Sequence, residues 1–196
     1  MNLTVSIDEQ SEIIKNNEQR FAFMLAGRVI SRPKLSIWMI LIPVIFVYFF
    51  YQFNKYKQGR ADFTDNFLIT RKRALNAARV AVLENKAPNL EETVKMAKLP
   101  PETLGAYREL LVVLVQHYID LLQATGENIA ELIKSAYRTR TNYLLFCNRL
   151  NQVERELNAA LRPHMKESTD GFDDVVRKIE EVSVELRRQD VEIIFS

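Results

Sequence analysis

The residues best suited to catalysis or metal binding in this sequence are two histidines, one cysteine and a pair of glutamates. His117 lies among aliphatic residues in VVLVQHYIDLL, and His164 follows Pro163, where a helix is expected to end. Neither histidine belongs to HExxH or another two-histidine motif. A functional site needs several converging groups, so the sequence predicts that His117 is a packed or boundary residue of a helix.

The other reactive side chains are also better explained by structure than by chemistry. Cys147 shares an apolar stripe with Leu144 and Leu150, which predicts a buried thiol. Glu154 and Glu156 are the nearest thing to paired carboxylates, but two residues apart on a helix they point to different faces. Phosphate-binding glycine loops and nucleophile elbows do not occur. The sequence therefore predicts no catalytic residue, no metal site and no cofactor, and the chain is not expected to be an enzyme.

Composition sets the fold class and excludes one class of partner. With 27 basic and 25 acidic residues among 196, the chain lacks the excess positive charge that nucleic acid attracts, so no nucleic-acid partner is expected. Five glycines and six prolines, several of them between long periodic segments, favour helices joined by short connections. We therefore expect an all-α protein. A lone cysteine is typical of a reducing compartment.

An uncharged apolar window over residues 35–54 predicts a membrane anchor. Twenty helical residues span about 30 Å, the thickness of the bilayer's hydrocarbon region. Trp38 near one end and Tyr48 and Tyr51 near the other suit the headgroup level, and Pro43 should kink the helix. A wholly buried core helix is less favoured in so small a domain. A signal peptide is disfavoured because 34 residues, four of them acidic, precede the window. The lipid bilayer is thus the first predicted partner.

The anchor divides the chain into four predicted parts: an amphipathic helical segment (1–33), a transmembrane helix (34–54), a juxtamembrane linker (55–60) and a helical bundle domain (61–196). The first segment is amphipathic enough to rest on the membrane or on a partner, or it is a plain helix before the anchor. Counted within about twenty residues of each end of the window, Lys and Arg slightly favour a cytoplasmic side for the bundle. Counted only next to the window, they are equal on both sides and give no preference. The lone cysteine then favours a single-pass protein with a cytoplasmic C-terminal domain.

Apolar spacing predicts an elongated antiparallel bundle of about four helices after the anchor, with a two-stranded coiled coil as the alternative. The last two helices should pair antiparallel, because basic residues predominate in 134–166 and acidic residues in 167–192. The basic cluster at 71–73 is expected on a solvated helix face. The expected helices are 5–32, 61–85, 89–98, 102–125, 128–162 and 170–192.

One stretch, YRTRTNYLLF, predicts a surface for a protein partner. Tyr137, Arg138, Arg140 and Tyr143 are of residue types that are common at binding hot spots, although the arginines are favoured to face the acidic final helix instead. The terminal VEIIFS either closes the bundle or presents a peptide. We expect a membrane-anchored scaffold or adaptor that binds a protein partner or a second copy of itself. The alternative is an accessory or assembly subunit of a larger membrane complex.

Overall fold

The chain folds into helices throughout the part that the structure, a computed structural model, describes: residues 3–29, 59–164 and 172–196. The all-α prediction is confirmed for these residues. Short 3-10 turns at Pro101–Thr103 and Arg162–His164 adjoin two of the helices. The α-helices in these ranges are α1 (Leu3–Val29), α2 (Gly59–Glu84), α3 (Leu90–Met96), α4 (Leu104–Leu122), α5 (Ile129–Tyr137), α6 (Arg140–Leu161) and α7 (Phe172–Ile194).

The N-terminal helix α1 is part of the bundle. It packs along α2 and α7 and also contacts α4. Ile7, Ile14 and Leu25, which the apolar spacing of α1 places on one side, are all buried. The division at residue 33 had set this segment apart, but its apolar stripe is covered by other helices of the same chain. In the described part of the chain, α1 therefore packs with four long helices that follow residue 58, which matches the expected number of about four for the bundle domain.

Two hydrophobic clusters form the interior of the part of the chain that the structure describes. The main core joins α4 and α6 to parts of α1, α2, α3, α5 and α7, with Tyr107, Leu111, Leu114 and Leu157 nearly inaccessible to solvent. The minor core lies where the last turns of α1 meet the start of α2 and the first half of α7. Its members are Phe21, Ala22, Leu25, Ala26, Val29, Phe67, Leu68, Val175, Ile179, Val182 and Leu186.

The predicted helix 128–162 is interrupted, so that part of the prediction is wrong. Arg138 has φ 65°, a conformation that ends α5, and Thr139 is extended. The Thr139 hydroxyl then accepts a hydrogen bond from the backbone N–H of Asn142 at 3.2 Å and caps α6. A side-chain cap of this kind is compatible with an apolar stripe that continues across the break, so periodicity alone does not reveal it.

The connection between α4 and α5 depends on the absence of a side chain at Gly126. Helix α4 ends at Leu122, and a Cβ on Gly126 would lie 2.6 Å from Glu131 Cβ. Asn128 caps α5 by accepting the backbone N–H of Glu131 at 3.1 Å, and Glu131 in turn accepts the backbone N–H of Glu127 at 2.8 Å. The glycine thus allows the chain to pass close to the start of α5.

Helices α6 and α7 are antiparallel, as their opposite charges predicted. Arg140 pairs with Glu192 at one end, and Asn158 donates to Glu180 at 2.7 Å towards the other. At the C-terminus Ile194 is buried and Phe195 packs beside Tyr143, so this tail closes the bundle.

The predicted transmembrane helix lies outside the described residues, and so do its residues Trp38, Pro43, Tyr48 and Tyr51. Of the helices within 3–29, 59–164 and 172–196, none combines the length and the apolar character that a bilayer crossing requires. Of the predicted linker, residues 59 and 60 belong to α2.

Candidate functional site

Four charged residues from four helices meet between the two hydrophobic clusters, and we call them the ion-pair layer: Glu18 of α1, Arg71 of α2, Glu154 of α6 and Arg187 of α7. Arg71 Nε lies 2.8 Å from Glu18 Oε2, and Arg71 Nη2 lies 2.8 Å from Glu154 Oε1. The Arg71 Nε–H is not aligned for a hydrogen bond, so that contact is ionic. Both terminal nitrogens of Arg187 donate to Glu154, at 2.7 and 2.9 Å. One carboxylate therefore holds two guanidinium groups.

Polar and aromatic neighbours complete this layer. The Tyr118 hydroxyl of α4 donates to Glu18 at 2.8 Å, which brings a fifth helix into the network. Asn151 accepts a hydrogen bond from Arg187. The guanidinium of Arg71 lies 3.8 Å from the centre of the Phe67 ring, a cation–π distance.

The position of these charges in the sequence explains their burial. Arg71 follows Phe67 by four residues and precedes Ala74 by three, so it occupies a place on the apolar stripe of α2, and its side chain is only 6% exposed. The prediction of a solvated face is therefore wrong for Arg71, although Lys72 is exposed. Glu18 stands likewise between apolar positions of α1.

Pairing keeps Glu154 and Arg71 charged. Burial acts against ionisation of Glu154, but Arg187 and Arg71 outweigh it and lower the pKa of Glu154 from 4.5 to about 2. Burial also acts against the charge of Arg71, yet Glu18 and Glu154 raise its pKa above the usual value. Burial, together with the charge of Glu18, raises the pKa of Tyr118 well above 10. At neutral pH these groups therefore hold fixed protonation states.

An aromatic cluster surrounds His117 beside this layer. Its Nδ1 lies 2.7 Å from the Tyr137 hydroxyl, and its ring stacks on Phe146 with centroids 4.0 Å apart. Burial and the positive charges of Arg187 and Arg71 lower the pKa of His117 to about 3. The imidazole is therefore neutral at physiological pH and packs as an aromatic ring, in agreement with its interpretation as a packed residue.

The four residues predicted as a partner surface fall into two groups. Tyr143 is buried and Tyr137 half-buried, and their rings contact one another inside the aromatic cluster. Arg138 and Arg140 are exposed, and Arg140 faces the acidic final helix by pairing with Glu192. The structure thus brings the tyrosines into the interior and leaves the arginines at the surface, so the four do not form one continuous surface.

Cys147 and a small cavity lie close to the ion-pair layer. Cys147 is buried, and burial raises the pKa of its thiol to about 11, which disfavours the reactive thiolate. A cavity of about 60 Å³ adjoins Arg71 and Glu154 and is also lined by Thr70, Asn158 and Ser183. It is large enough for a few water molecules. Across the described ranges, no three metal-ligating side chains converge.

The ion-pair layer and its neighbours hold helices together. An acid–base catalyst has a pKa close to the working pH, whereas the pKa values of Glu154, His117 and Tyr118 all lie well away from neutrality. The contacts instead join α1, α2, α4, α6 and α7 at one level of the bundle. The layer was not found from the sequence, although charged residues of opposite sign at apolar-stripe positions of several helices were a usable signal.

No protein-family model matches this chain, and neither a curated protein nor a solved structure shows significant similarity to it.

Proposed function

We propose that this protein is a membrane-anchored helical scaffold or adaptor, with the apolar window as its anchor and the bundle as its protein-binding part. The observation that carries the proposal is the uncharged window of twenty residues, 35–54, inserted between two helices of a folded bundle. Such a segment is costly to expose to water, and a bilayer or the apolar surface of a membrane complex would cover it. The bundle is expected on the cytoplasmic side.

The surface proposed for the partner lies at the end of the bundle where α6 begins and α7 ends. Leu145 is 62% exposed and Ile193 is 71% exposed, and the exposed Arg138 belongs to the same end. Exposed aliphatic side chains and an arginine at one end of a bundle are residue types that protein partners use. This surface replaces the two predicted tyrosines, because their rings are engaged inside the bundle.

Two measurements on the full-length protein test the proposal. Alkaline carbonate extraction of membranes should leave the chain in the pellet, as for a protein held by an apolar anchor. Cross-linking in native membranes followed by affinity purification should recover a reproducible protein partner or a second copy of the chain. Recovery of a monomer alone would overturn the adaptor function, and extraction by carbonate would overturn the anchor.

Matched surface variants locate the binding surface. Leu145→Glu and Ile193→Glu should each reduce partner recovery several-fold without changing the helical circular dichroism signal. Phe23→Glu is the control, because Phe23 is similarly exposed (65%) but lies on α1 close to the minor core. Equal recovery with all three variants would contradict this surface. The alternative function, an accessory subunit, predicts a chain that is unstable in detergent until its complex partners are added.

A further inference from the structure

The packing of α1 against α2 determines where the chain leaves and re-enters the bundle. Asp8 Oδ1 pairs with Arg79 Nη2 at 2.6 Å, and Phe21 stacks on Phe67 with ring centroids 5.9 Å apart. The partners become closer in sequence towards the C-terminal end of α1, so the two helices are antiparallel. Consequently Val29 at the end of α1 and Gly59 at the start of α2 belong to the same end of the bundle.

Helix α7 secures α1 in this position from another side. Arg28 Nη1 lies 3.0 Å from Glu185, and Arg20 lies 3.2 Å from Asp190. The side chain of Leu25 is fully buried in the minor core, as is the Cβ of Ala26. Separation of α1 from the bundle would expose this apolar surface and leave Arg71 of the ion-pair layer without one of its carboxylates. We conclude that α1 folds together with α2 and α7.

This arrangement conflicts with a single crossing by the apolar window. One crossing would place Val29 and Gly59 on opposite faces of a hydrocarbon layer about 30 Å thick, where α1 and α2 could not be in contact. Two complete crossings need about 40 helical residues. Only residues 30–58 separate the two helices, and the uncharged window within them has the length of one crossing.

We propose that α1 and the rest of the bundle lie on the same side of the membrane, so that the chain between Val29 and Gly59 does not carry them to opposite sides. This inference rests on the membrane anchoring proposed above and replaces the single-pass topology expected from the sequence. The end of the bundle with Val29 and Gly59 then faces the membrane. Asp190 near the end of α7 pairs with Arg20, nine residues before Val29, so the proposed partner surface lies roughly 15–20 Å from the end that faces the bilayer.

The test uses sidedness of labelling in sealed membrane vesicles. The full-length chain carries Cys147→Ala and one new cysteine, either Glu9→Cys on α1 or Gln152→Cys on α6, both at exposed positions. A membrane-impermeant maleimide should label both variants equally before the vesicles are opened, or neither until they are opened. Labelling of one variant in sealed vesicles and of the other only after opening would overturn the one-sided arrangement.

A cross-link between α1 and α2 provides a second readout. Cysteines in place of Asp8 and Arg79, in the Cys147→Ala chain, should be joined by a short bifunctional maleimide in intact membranes, which requires both helices on one side. Pairing Glu9→Cys with the same α2 cysteine is the control and should react less, because Glu9 lies next to Asp8 on a different face of α1. If the chain is helical and membrane-bound but the first cross-link does not form, the one-sided arrangement is overturned and the proposed anchor is not affected. Loss of the chain from carbonate-washed membranes would instead overturn the anchor on which it rests.

Discussion

The ion-pair layer makes a quantitative prediction about the stability of the bundle. Glu154→Gln keeps the shape of the side chain and removes its charge. The pKa of Glu154 falls from 4.5 to about 2 on folding, and 1.36 kcal/mol per pKa unit gives about 3 kcal/mol of unfolding free energy at pH 7. Loss of one partner from a buried ion pair costs about 3–5 kcal/mol, which is consistent with that figure. The expected loss is therefore about 3–4 kcal/mol at pH 7.

The predicted pH dependence has a definite sign. Because the folded-state pKa of Glu154 is depressed, its contribution is complete above the unfolded-state pKa of 4.5 and disappears as the pH falls towards 2. At pH 3 about 1 kcal/mol of the contribution should remain. The difference in unfolding free energy between wild type and Glu154→Gln should therefore decrease by about 2 kcal/mol between pH 7 and pH 3.

This difference is measured by urea unfolding of the full-length chain in a mild detergent at both pH values. Circular dichroism monitors the unfolding. Glu156→Gln is the matched control on the same helix, since Glu156 is exposed and accepts a hydrogen bond from the nearby Gln152 at 2.8 Å. It should change the unfolding free energy by less than about 0.5 kcal/mol at either pH. A Glu154→Gln loss below about 1 kcal/mol, or one of the same size at pH 3 and pH 7, would refute the assignment of a paired, ionised carboxylate.

Three further predictions concern single side chains. Tyr118→Phe removes a hydrogen bond to a buried carboxylate and should lower the unfolding free energy by about 2 kcal/mol. Tyr107→Phe should leave the unfolding free energy unchanged or raise it, because the buried Tyr107 hydroxyl has no hydrogen-bond partner among the described residues. Equal effects of the two variants in urea unfolding would contradict this prediction. Gly126→Ala should destabilise the fold by about 1–3 kcal/mol, because there is no room for its Cβ. Gly105→Ala should stabilise the fold by about 0.5 kcal/mol, because Gly105 lies on a helix with open space around it. Thermal unfolding measures both changes. Cys147 should resist maleimide at pH 8 until the protein is denatured, because burial raises its pKa to about 11, and rapid labelling of the native chain would show that the thiol is accessible.

The helical elements were largely predictable because they depend on local patterns. Apolar spacing located α2, α4 and α7 within a few residues of their observed ends. The expected helix 89–98 corresponds to α3, where Asn89 caps the helix by accepting the Glu92 N–H at 3.5 Å. The break at Arg138 was missed because a threonine cap can interrupt a helix without interrupting its apolar stripe. The tyrosines of the predicted partner surface were misplaced because tyrosine serves equally well at an interface and in an aromatic cluster.

The sequence by itself determined the helical class, the pairing of α6 with α7, and a twenty-residue uncharged window, because each depends on residue type and periodicity within a short stretch. Only the tertiary structure decided that Glu18 meets Arg71 and that α1 packs beside α2, since both depend on which helix faces which across long separations in the chain. A helix pattern specifies an apolar face but not the helix that will cover it. That choice places Val29 and Gly59 at one end of the bundle and so bears directly on how the apolar window can enter a membrane.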